Sequence, residues 1–323
     1  MTALALPLGR LLPRVGAPVI ALALGMAIAA VLPVPRLVPS LAVISRNALQ
    51  LAIVLLGATI SLSQVLAVGT SSLPVMLGSL AAALLTAALL GRRLGVSGRL
   101  RALVGVGTGI CGASAIAAVS GVIDADAREI RYAISTIFVF NLVAVLLFPA
   151  LGHGLGMSAH QFGLWSGTAV NDTSSVLAAG FAYSHAAGTY ALIVKLTRTT
   201  MIIPITLYLA TVGLRRMASD GGSPPPGRQQ RLAARLRRII PWFLVWFIAA
   251  SAADSLGLFN HAARGALSEG GLALTTLALA AVGLSSNLRE LRQAGLRPLA
   301  LGSGVWVAVA LTSLGLQTLT GVA

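Results

Sequence analysis

Charged residues are scarce in this 323-residue sequence, and acidic residues are the scarcest of them. Only 10% of the residues are charged, with 8 acidic side chains against 23 basic ones. A soluble domain carries roughly 25% charged residues. So few charges cannot cover a water-facing surface, and 57% of the residues are hydrophobic. The composition therefore excludes an ordinary soluble protein and predicts an integral membrane protein.

Cysteine, lysine and enzyme motifs are also nearly absent. Cys111 is the only cysteine, which excludes a disulfide within the chain. Lys195 is the only lysine, and the other 22 basic residues are arginines. The sequence contains no HExxH, GxSxG, Walker or CxxC pattern. We therefore predict no enzyme activity, no metal and no cofactor.

The sequence does contain ten apolar segments of about 20 residues, the length that crosses a bilayer as a helix. We predict an all-α polytopic membrane protein with about ten transmembrane helices. Residues 1–323 would form a single transmembrane domain, with 214–238 as a basic linker between the seventh and eighth helices. The predicted spans are 16–34, 41–62, 72–91, 100–122, 131–151, 161–183, 188–213, 239–257, 265–285 and 296–319.

The arginines lie almost wholly between the apolar segments, which is typical of loop charges that set topology. A net charge of +15 would suggest nucleic acid only if it lay on one soluble face, so we predict no nucleic-acid partner. Sixteen arginines fall in one set of alternate loops and five in the other. The richer side is predicted to be cytoplasmic, with both termini outside and the linker 214–238 inside. Lys195 and Arg198 are the two basic residues that this loop count leaves over, and they lie inside the seventh span.

Two internal similarities suggest a repeat. "GTGICGASAIAAVSG" at 107–121 matches "GTAVNDTSSVLAAG" at 167–180 at a constant offset of 60 residues, and "LLGATISLSQV" at 55–65 resembles "AVGLSSNLREL" at 281–291. Ten spans suit two inverted five-helix repeats, a common plan of secondary transporters. The two similarities do not fall at equivalent places in the two halves, so the inverted repeat remains a hypothesis.

The first pair of segments also predicts two broken helices. Glycines in the fourth span and five consecutive polar residues in the sixth, Asn171 to Ser175, interrupt the apolar pattern. Interrupted backbone at membrane depth is tolerated only inside the protein or along a cavity, where a half-helix N-terminus can bind an anion. Close helix packing by small residues is the alternative explanation. The predicted substrate-binding residues are Thr108, Gly109, Cys111, Gly112, Ala113, Ser114, Asn171, Thr173, Ser174, Lys195 and Arg198.

Asp172 and Lys195 are predicted to couple transport to an ion. A carboxylate within a span is costly unless it has a partner or a function. We predict that Asp172 pairs with Lys195 or Arg198 in at least one state. The alternatives are that Asp172 is a helix N-cap at the membrane edge and that the two cations extend to the interface. His185 is predicted to be interfacial, and His153, His160 and His261 to lie in loops.

The order of these motifs resembles that of a known family. "GTGICGASAIAAVSGV", "GTAVNDTSSVLAAG", "VKLTRTTMIIP", "IPWF" and "AVGLSSNLRELRQAG" are similar, in that order, to the YeiH-like family of predicted sulfate exporters. The resemblance runs from about residue 17 to about residue 300. That family looks distantly similar to bile-acid:sodium symporters and cation/proton antiporters. The resemblance implies crossed broken helices, a core moving against a panel, and a homodimer.

Three hypotheses for the function follow. The first is a secondary transporter, by alternating access, that exports a small anion such as sulfate, sulfite or a sulfonate across the bacterial inner membrane. The second is a cation/proton antiporter that uses Asp172 with Lys195, because an Asn-Asp pair also occurs in some antiporters. The third is a membrane scaffold or sensor that transports nothing.

Overall fold

Apolar segments in a bilayer become helices, because only a helix pairs all of its own backbone groups there. The computed structural model describes residue 5 and residues 16–31, 38–219, 242–285 and 295–322. Every regular element within these ranges is an α-helix. The helices are α1 (Ala17–Val31), α2 (Val38–Gly57), α3 (Leu62–Ser71), α4 (Leu73–Arg93), α5 (Gly98–Gly109), α6 (Ala113–Ser120), α7 (Ala127–Gly154), α8 (Ala159–Ala169), α9 (Thr173–Tyr183), α10 (His185–Thr199), α11 (Ile202–Ser219), α12 (Trp242–Ser255), α13 (His261–Ser285) and α14 (Leu296–Thr320).

Six stretches are long and apolar enough to cross a membrane, and α1 and α12 are shorter apolar helices. The predicted fourth and sixth spans are each two half-helices, α5 with α6 and α8 with α9. In each pair the half-helices return to the end of the bundle where they began, because Ser97 Oγ donates to Glu129 Oε1 at 2.6 Å and the Tyr183 hydroxyl donates to Met157 O. The prediction that these two segments cross the membrane was wrong, and the structure does not confirm ten spans. Most of the predicted linker 214–238 and the similarity at 281–291 lie outside the described residues. The six stretches are 38–57, 73–93, 127–154, 185–209, 261–285 and 296–320.

Polar side chains cap the helices where the sequence leaves an apolar segment. The hydroxyls of Ser61, Ser97 and Ser184 accept a backbone N–H from the first turn of α3, α5 and α10. Asp126 begins α7 with a capping box closed by Glu129, as the polar stretch 124–131 predicts. Each cap satisfies backbone donors that the first helical turn leaves unpaired. Serine and aspartate therefore mark the helix starts.

The outer surface of the bundle is apolar. Large side chains such as Leu66, Leu85 and Leu311 are 60–63% exposed, on helices whose opposite sides are buried. A contiguous apolar surface of this kind is unfavourable in water and suits lipid tails. The described structure therefore has the surface of a membrane protein, in agreement with its composition.

The helices pack as two groups. In the panel group, α13 lies against α1 and α2, and α12 lies against α2. The broken-helix group comprises α4 to α10 and α14, in which α10 packs on α8 and α9, and α14 packs on α4. The side chains of α8 bind α14 directly, because Trp165 Nε1 donates to Ala310 O at 3.1 Å and Thr168 Oγ1 lies 2.5 Å from Ser313 Oγ. The groups meet where α9 contacts α1 and α13, and α3 bridges α10 and α12.

Within the panel group, α1 and α13 approach so closely that glycine is required on both. A Cβ atom added at Gly283 would lie within 3.0 Å of backbone atoms of Gly25 and Met26. A Cβ atom added at Gly25 would lie 2.7 Å from Ala280 O. Because these neighbours are backbone atoms, neither helix can accommodate a larger residue without moving away from the other.

We expect Gly283→Ile to lower the thermal stability of the purified protein in detergent, because the added side chain separates α1 from α13. Overpacking of this kind costs about 1–3 kcal/mol. Gly315→Ile is the size-matched control, since a Cβ atom there has no neighbour within 4 Å. Equal unfolding temperatures for the two variants would contradict the close helix contact.

Candidate functional site

The two helix breaks occupy matching positions in the sequence. Helix α5 ends at Gly109 and α6 begins at Ala113. Helix α8 ends at Ala169 and α9 begins at Thr173, so both boundaries are shifted by the same 60 residues as the sequence match. The predicted start of a half-helix near residues 111–113 is confirmed. The two segments thus have the same local design, whichever way they run relative to each other.

The breaks also lie next to each other in space. Gly112 has a φ of +68°, a backbone conformation that side chains disfavour, and its N–H donates to Gly107 O at 2.9 Å. A Cβ atom added at Gly112 would be 3.8 Å from the carbonyl carbon and oxygen of Asn171. Glycine therefore allows one break to turn sharply against the backbone of the other.

Lys195 and Arg198 bind the carbonyl ends of the half-helices. Lys195 Nζ donates to Ile110 O at 2.7 Å and to Val170 O at 2.9 Å, one carbonyl from each break. Arg198 Nε donates to Gly109 O at 2.6 Å. The C-terminal end of a helix carries partial negative charge and unpaired carbonyls. The two cations within an otherwise apolar segment therefore neutralise and tie together the ends of α5 and α8.

Part of this polar cluster has no partner. Lys195 and Arg198 are both 0% exposed. The Nη1 and Nη2 atoms of Arg198 are buried without a hydrogen-bond partner, and so are both amide atoms of Asn171. Buried polar groups are nearly always paired, so such exceptions need an explanation. The site holds hydrogen-bonding capacity, including two guanidinium nitrogens, that the described protein atoms do not use.

The carboxylate of Asp172 caps α9 and does not pair with the two cations. Its carboxylate accepts hydrogen bonds from the Ser174 backbone N–H at 3.0 Å and from the Ser174 hydroxyl, and it is the N-cap of α9. Across the described chain, no ion pair joins it to Lys195 or Arg198. The predicted ion pair is therefore not present in this state. The Lys195 ammonium instead donates to two carbonyl oxygens, and the Asp172 carboxylate accepts from Ser174 in α9. The helix cap was the alternative prediction for Asp172.

Asn141 completes the site and was not among the predicted binding residues. It lies on α7 and is 5% exposed. Its Oδ1 accepts hydrogen bonds from the backbone N–H groups of Asn171 at 3.0 Å and Asp172 at 3.3 Å. The donors of the second break are thereby satisfied by α7, while its carbonyl at Val170 is satisfied by Lys195. A lone asparagine midway along a 28-residue apolar helix was the available sequence signal.

The remaining predicted residues divide into buried and accessible ones. Thr108, Gly109, Cys111 and Gly112 are buried. Ala113 and Ser114, the first residues of α6, are exposed, and Thr173 is half-buried. The structure therefore brings all of the predicted segments to one region, with the cations enclosed and the start of α6 accessible. Among the residues it describes, no group of three or more His, Cys, Asp or Glu could hold a metal ion.

The histidines are placed differently from the sequence prediction. His153 lies within α7, while His160 and His261 lie in the first turns of α8 and α13. The prediction that these three are loop residues was wrong. The positions of His160 and His261 follow from the capping serine and asparagine just before α8 and α13, which start those helices earlier than the apolar pattern indicates, and His153 is helical because α7 continues to Gly154.

Comparison with known proteins identifies similar sequences. A family model described as "Conserved hypothetical protein 698" matches residues 1–302. A "UPF0324 membrane protein" of Streptococcus pneumoniae serotype 4 is 42% identical over 324 residues, covering 98% of this chain and 93% of the relative. Similar proteins of the same UPF0324 description occur in Clostridium tetani, 39% identical over 86% of this chain and 81% of the relative, and in Fusobacterium nucleatum, 37% identical over 99% and 96%. No solved structure matches the chain.

We expect Lys195→Met to destabilise the folded protein by about 2–4 kcal/mol, because it leaves the buried carbonyls of Ile110 and Val170 without a donor. Thermal unfolding in detergent measures the change. Thr197→Val on the same helix is the control, since the Thr197 hydroxyl bonds only to Ile193 O one turn back. If both variants unfold at the wild-type temperature, Lys195 does not hold the two breaks together.

Proposed function

Since the chain belongs to the membrane-protein family described as Conserved hypothetical protein 698, as its YeiH-like motifs predict, we propose that it is a secondary transporter of a small oxyanion. The substrate class is sulfate, sulfite or a sulfonate, and the direction is export across the bacterial inner membrane. Two inverted repeats, with both termini outside, are the topology proposed for this activity. A homodimer is the proposed assembly.

The unpaired guanidinium nitrogens of Arg198 are the observation that carries this proposal. Nε of Arg198 is held by Gly109 O, which leaves Nη1 and Nη2 buried and without a partner. A planar guanidinium with two free N–H groups suits the two oxygens of a carboxylate, sulfate or sulfonate. An unpaired charge inside a membrane is costly, so a bound anion would stabilise it considerably.

Further donors lie in the two breaks. Helix α6 begins at Ala113 without a side-chain cap, so its N-terminal amides can attract an anion, whereas the Asp172 carboxylate already caps α9. The hydroxyl of Ser114 is accessible at the start of α6. Asn171 has an amide with no partner within the site. This combination of one guanidinium, one amide, one hydroxyl and one uncapped helix N-terminus matches an oxyanion in charge and in hydrogen-bond direction.

Burial of the cations requires a conformational change. Lys195 and Arg198 have no exposed surface, so an anion cannot reach Arg198 in this state. The two helix groups meet through α9 against α1 and α13, and through α3 against α10. We propose that movement of the broken-helix group against the panel group opens this contact. Because Lys195 ties both breaks, they would move as one body.

We expect Arg198→Lys to reduce sulfate uptake into proteoliposomes by at least about tenfold, a loss of ~1.4 kcal/mol in anion stabilisation. Lysine retains a positive charge and a donor for Gly109 O, but it lacks the two-pronged guanidinium. Arg128→Lys is the control, because Arg128 is exposed at the start of α7. Sulfite and methanesulfonate would be tested alongside sulfate. The proposal fails if none of the three anions is transported, or if Arg198→Lys transports them at the wild-type rate.

Asp172 distinguishes anion transport from cation/proton antiport. Its carboxylate lies half-buried in the second break, where it is placed to bind a proton or a cation. Asp172→Asn preserves the N-cap, because asparagine caps as well as aspartate. Under anion transport with proton coupling, we expect this variant to lose the response of sulfate uptake to an imposed pH gradient and to keep sulfate exchange without a gradient. Asp126→Asn, the same change at the exposed N-cap of α7, is the control.

The antiport alternative makes the opposite prediction for sodium. It requires that a sodium jump changes the signal of an enclosed pH dye in the wild-type protein and in Asp126→Asn, but not in Asp172→Asn. We expect no sodium response in any of the three proteins. A response with that pattern would replace the anion proposal by antiport. A protein that moves neither anions nor sodium would instead be the scaffold or sensor.

A further inference from the structure

A second polar region lies in a cavity between the two helix groups, away from the helix breaks. The cavity has a volume of about 510 Å³. Its walls come from the start of α8, the start of α10, the start of α13 and the connection between α2 and α3. It extends along α10 from His185 to Ile193, and Ile193 is two residues before Lys195. The cavity therefore runs about 12 Å along α10 toward the buried cations.

The side chains that line the cavity include several basic groups and no acidic one. Three of the four histidines in the chain, His160, His185 and His261, line the cavity together with Arg264. No carboxylate is among the lining residues, although hydroxyl and amide groups are. The polar lining residues other than these four are Thr59, Gln64, Thr189, Tyr190 and Ser268.

The other charged groups near the cavity are paired or lie outside its lining, which leaves the histidines to set its charge. Arg264 Nε donates to Asp254 Oδ1 at 2.6 Å, so the positive charge of Arg264 is largely balanced by a carboxylate that is itself 5% exposed. Glu269 on α13 is exposed and is not part of the lining. On α3 and at the end of α2, the lining groups are uncharged. Histidine side chains commonly change charge between pH 5 and 8, so protonation would decide whether the cavity is positive.

One of the three histidines also links the two helix groups. His185 Nε2 lies 3.0 Å from Ser268 Oγ, which joins α10 of the broken-helix group to α13 of the panel group. The His160 ring centroid lies 4.9 Å from that of Tyr190 on α10. All three histidines lie in the first turn of a helix, where an anion is favoured and a cation is not. The helix N-termini thus favour an anion in the cavity directly, and a bound anion would offset their repulsion of a protonated imidazole, as linked equilibria require.

We propose that this cavity is a binding site for a small oxyanion, in which His160, His185 and His261 supply the positive charge when they are protonated. The inference rests on the proposed function, because it makes the cavity the place where the transported anion collects before the helix groups move. Its chemistry differs from that of the buried site. The cavity presents imidazole rings, whereas the buried site presents the guanidinium of Arg198.

The charge of the cavity can be measured by the rate at which charged reagents label an introduced cysteine, and this assay does not require transport. Cys111 is the only native cysteine and is buried, so Ala186→Cys, in the cavity wall and exposed, can be labelled against a low background. Two thiol reagents of similar size are compared, 2-sulfonatoethyl methanethiosulfonate, which is anionic, and 2-(trimethylammonium)ethyl methanethiosulfonate, which is cationic. Their rate ratio cancels the fraction of ionised thiol. Leu319→Cys, at a position 83% exposed at the end of α14, is the control.

We expect the anionic-to-cationic rate ratio at Ala186→Cys to rise at least about threefold from pH 8.0 to pH 5.5, because a positive cavity concentrates anions. The ratio at Leu319→Cys should stay constant. Adding His160→Gln, His185→Gln and His261→Gln to Ala186→Cys should abolish the rise. At pH 5.5, sulfate should slow the anionic reagent more than chloride does at equal ionic strength.

A constant ratio at Ala186→Cys, or a rise that persists without the three histidines, overturns the proposal. If the triple variant does not fold, the sulfate test on Ala186→Cys alone decides, and equal effects of sulfate and chloride overturn it. The labelling result is separate from the transport result. If labelling shows a positive cavity that sulfate protects, but no anion is transported, the binding site stands and the proposed transport is rejected. If anion flux depends on Arg198 but the labelling ratio stays constant, only the proposed cavity site is rejected.

Discussion

The ammonium group of Lys195, bound to the carbonyls of Ile110 and Val170, is the contact on which the rest of the site depends. Two helices broken beside each other inside the bundle leave buried carbonyl groups that neither water nor lipid can satisfy. One buried cation pairs with a carbonyl from each break, and Asn141 pairs with the amides of the second. The remaining geometry follows from this contact. The breaks must lie side by side, and α10 must pass beside both of them.

This arrangement gives Lys195 and Arg198 different tasks. Lys195 has both of its identified hydrogen bonds within the protein, so it mainly holds the two breaks together. Arg198 uses only Nε for the protein and keeps its two terminal nitrogens unpaired. A structural cation and an unpaired cation three residues apart on one helix would place the charge for a ligand beside a fixed support. A transporter needs this combination, because its binding groups must keep their geometry while the helix groups move.

The sequence predicted those features that leave a local trace. The breaks at 110–112 and 170–172 were predictable because glycines and consecutive polar residues interrupt apolar segments at an offset of 60. Lys195 and Arg198 were recognisable because every other basic residue could be assigned to a predicted loop or to the end of a predicted span. The partners of Lys195 were not predictable, because Ile110 and Val170 act through their backbone and their side chains carry no signal. The histidine cavity was missed because tertiary packing alone brings His160, His185 and His261 together across 101 residues of sequence.

The choice of the only lysine at position 195 has a geometric reason. The carbonyls of Ile110 and Val170 belong to different helix breaks, and both accept from the single Nζ atom at 2.7 and 2.9 Å. An ammonium group offers three donors around one point and so suits acceptors that converge on it from separate segments of the backbone. A guanidinium spreads its five donors over a rigid plane, which suits the parallel oxygens of an oxyanion better than two converging carbonyls. Lys195 therefore suits a contact in which one atom joins two backbone segments. Arg198 suits the planar arrangement of oxygens in the anion that we propose as the ligand.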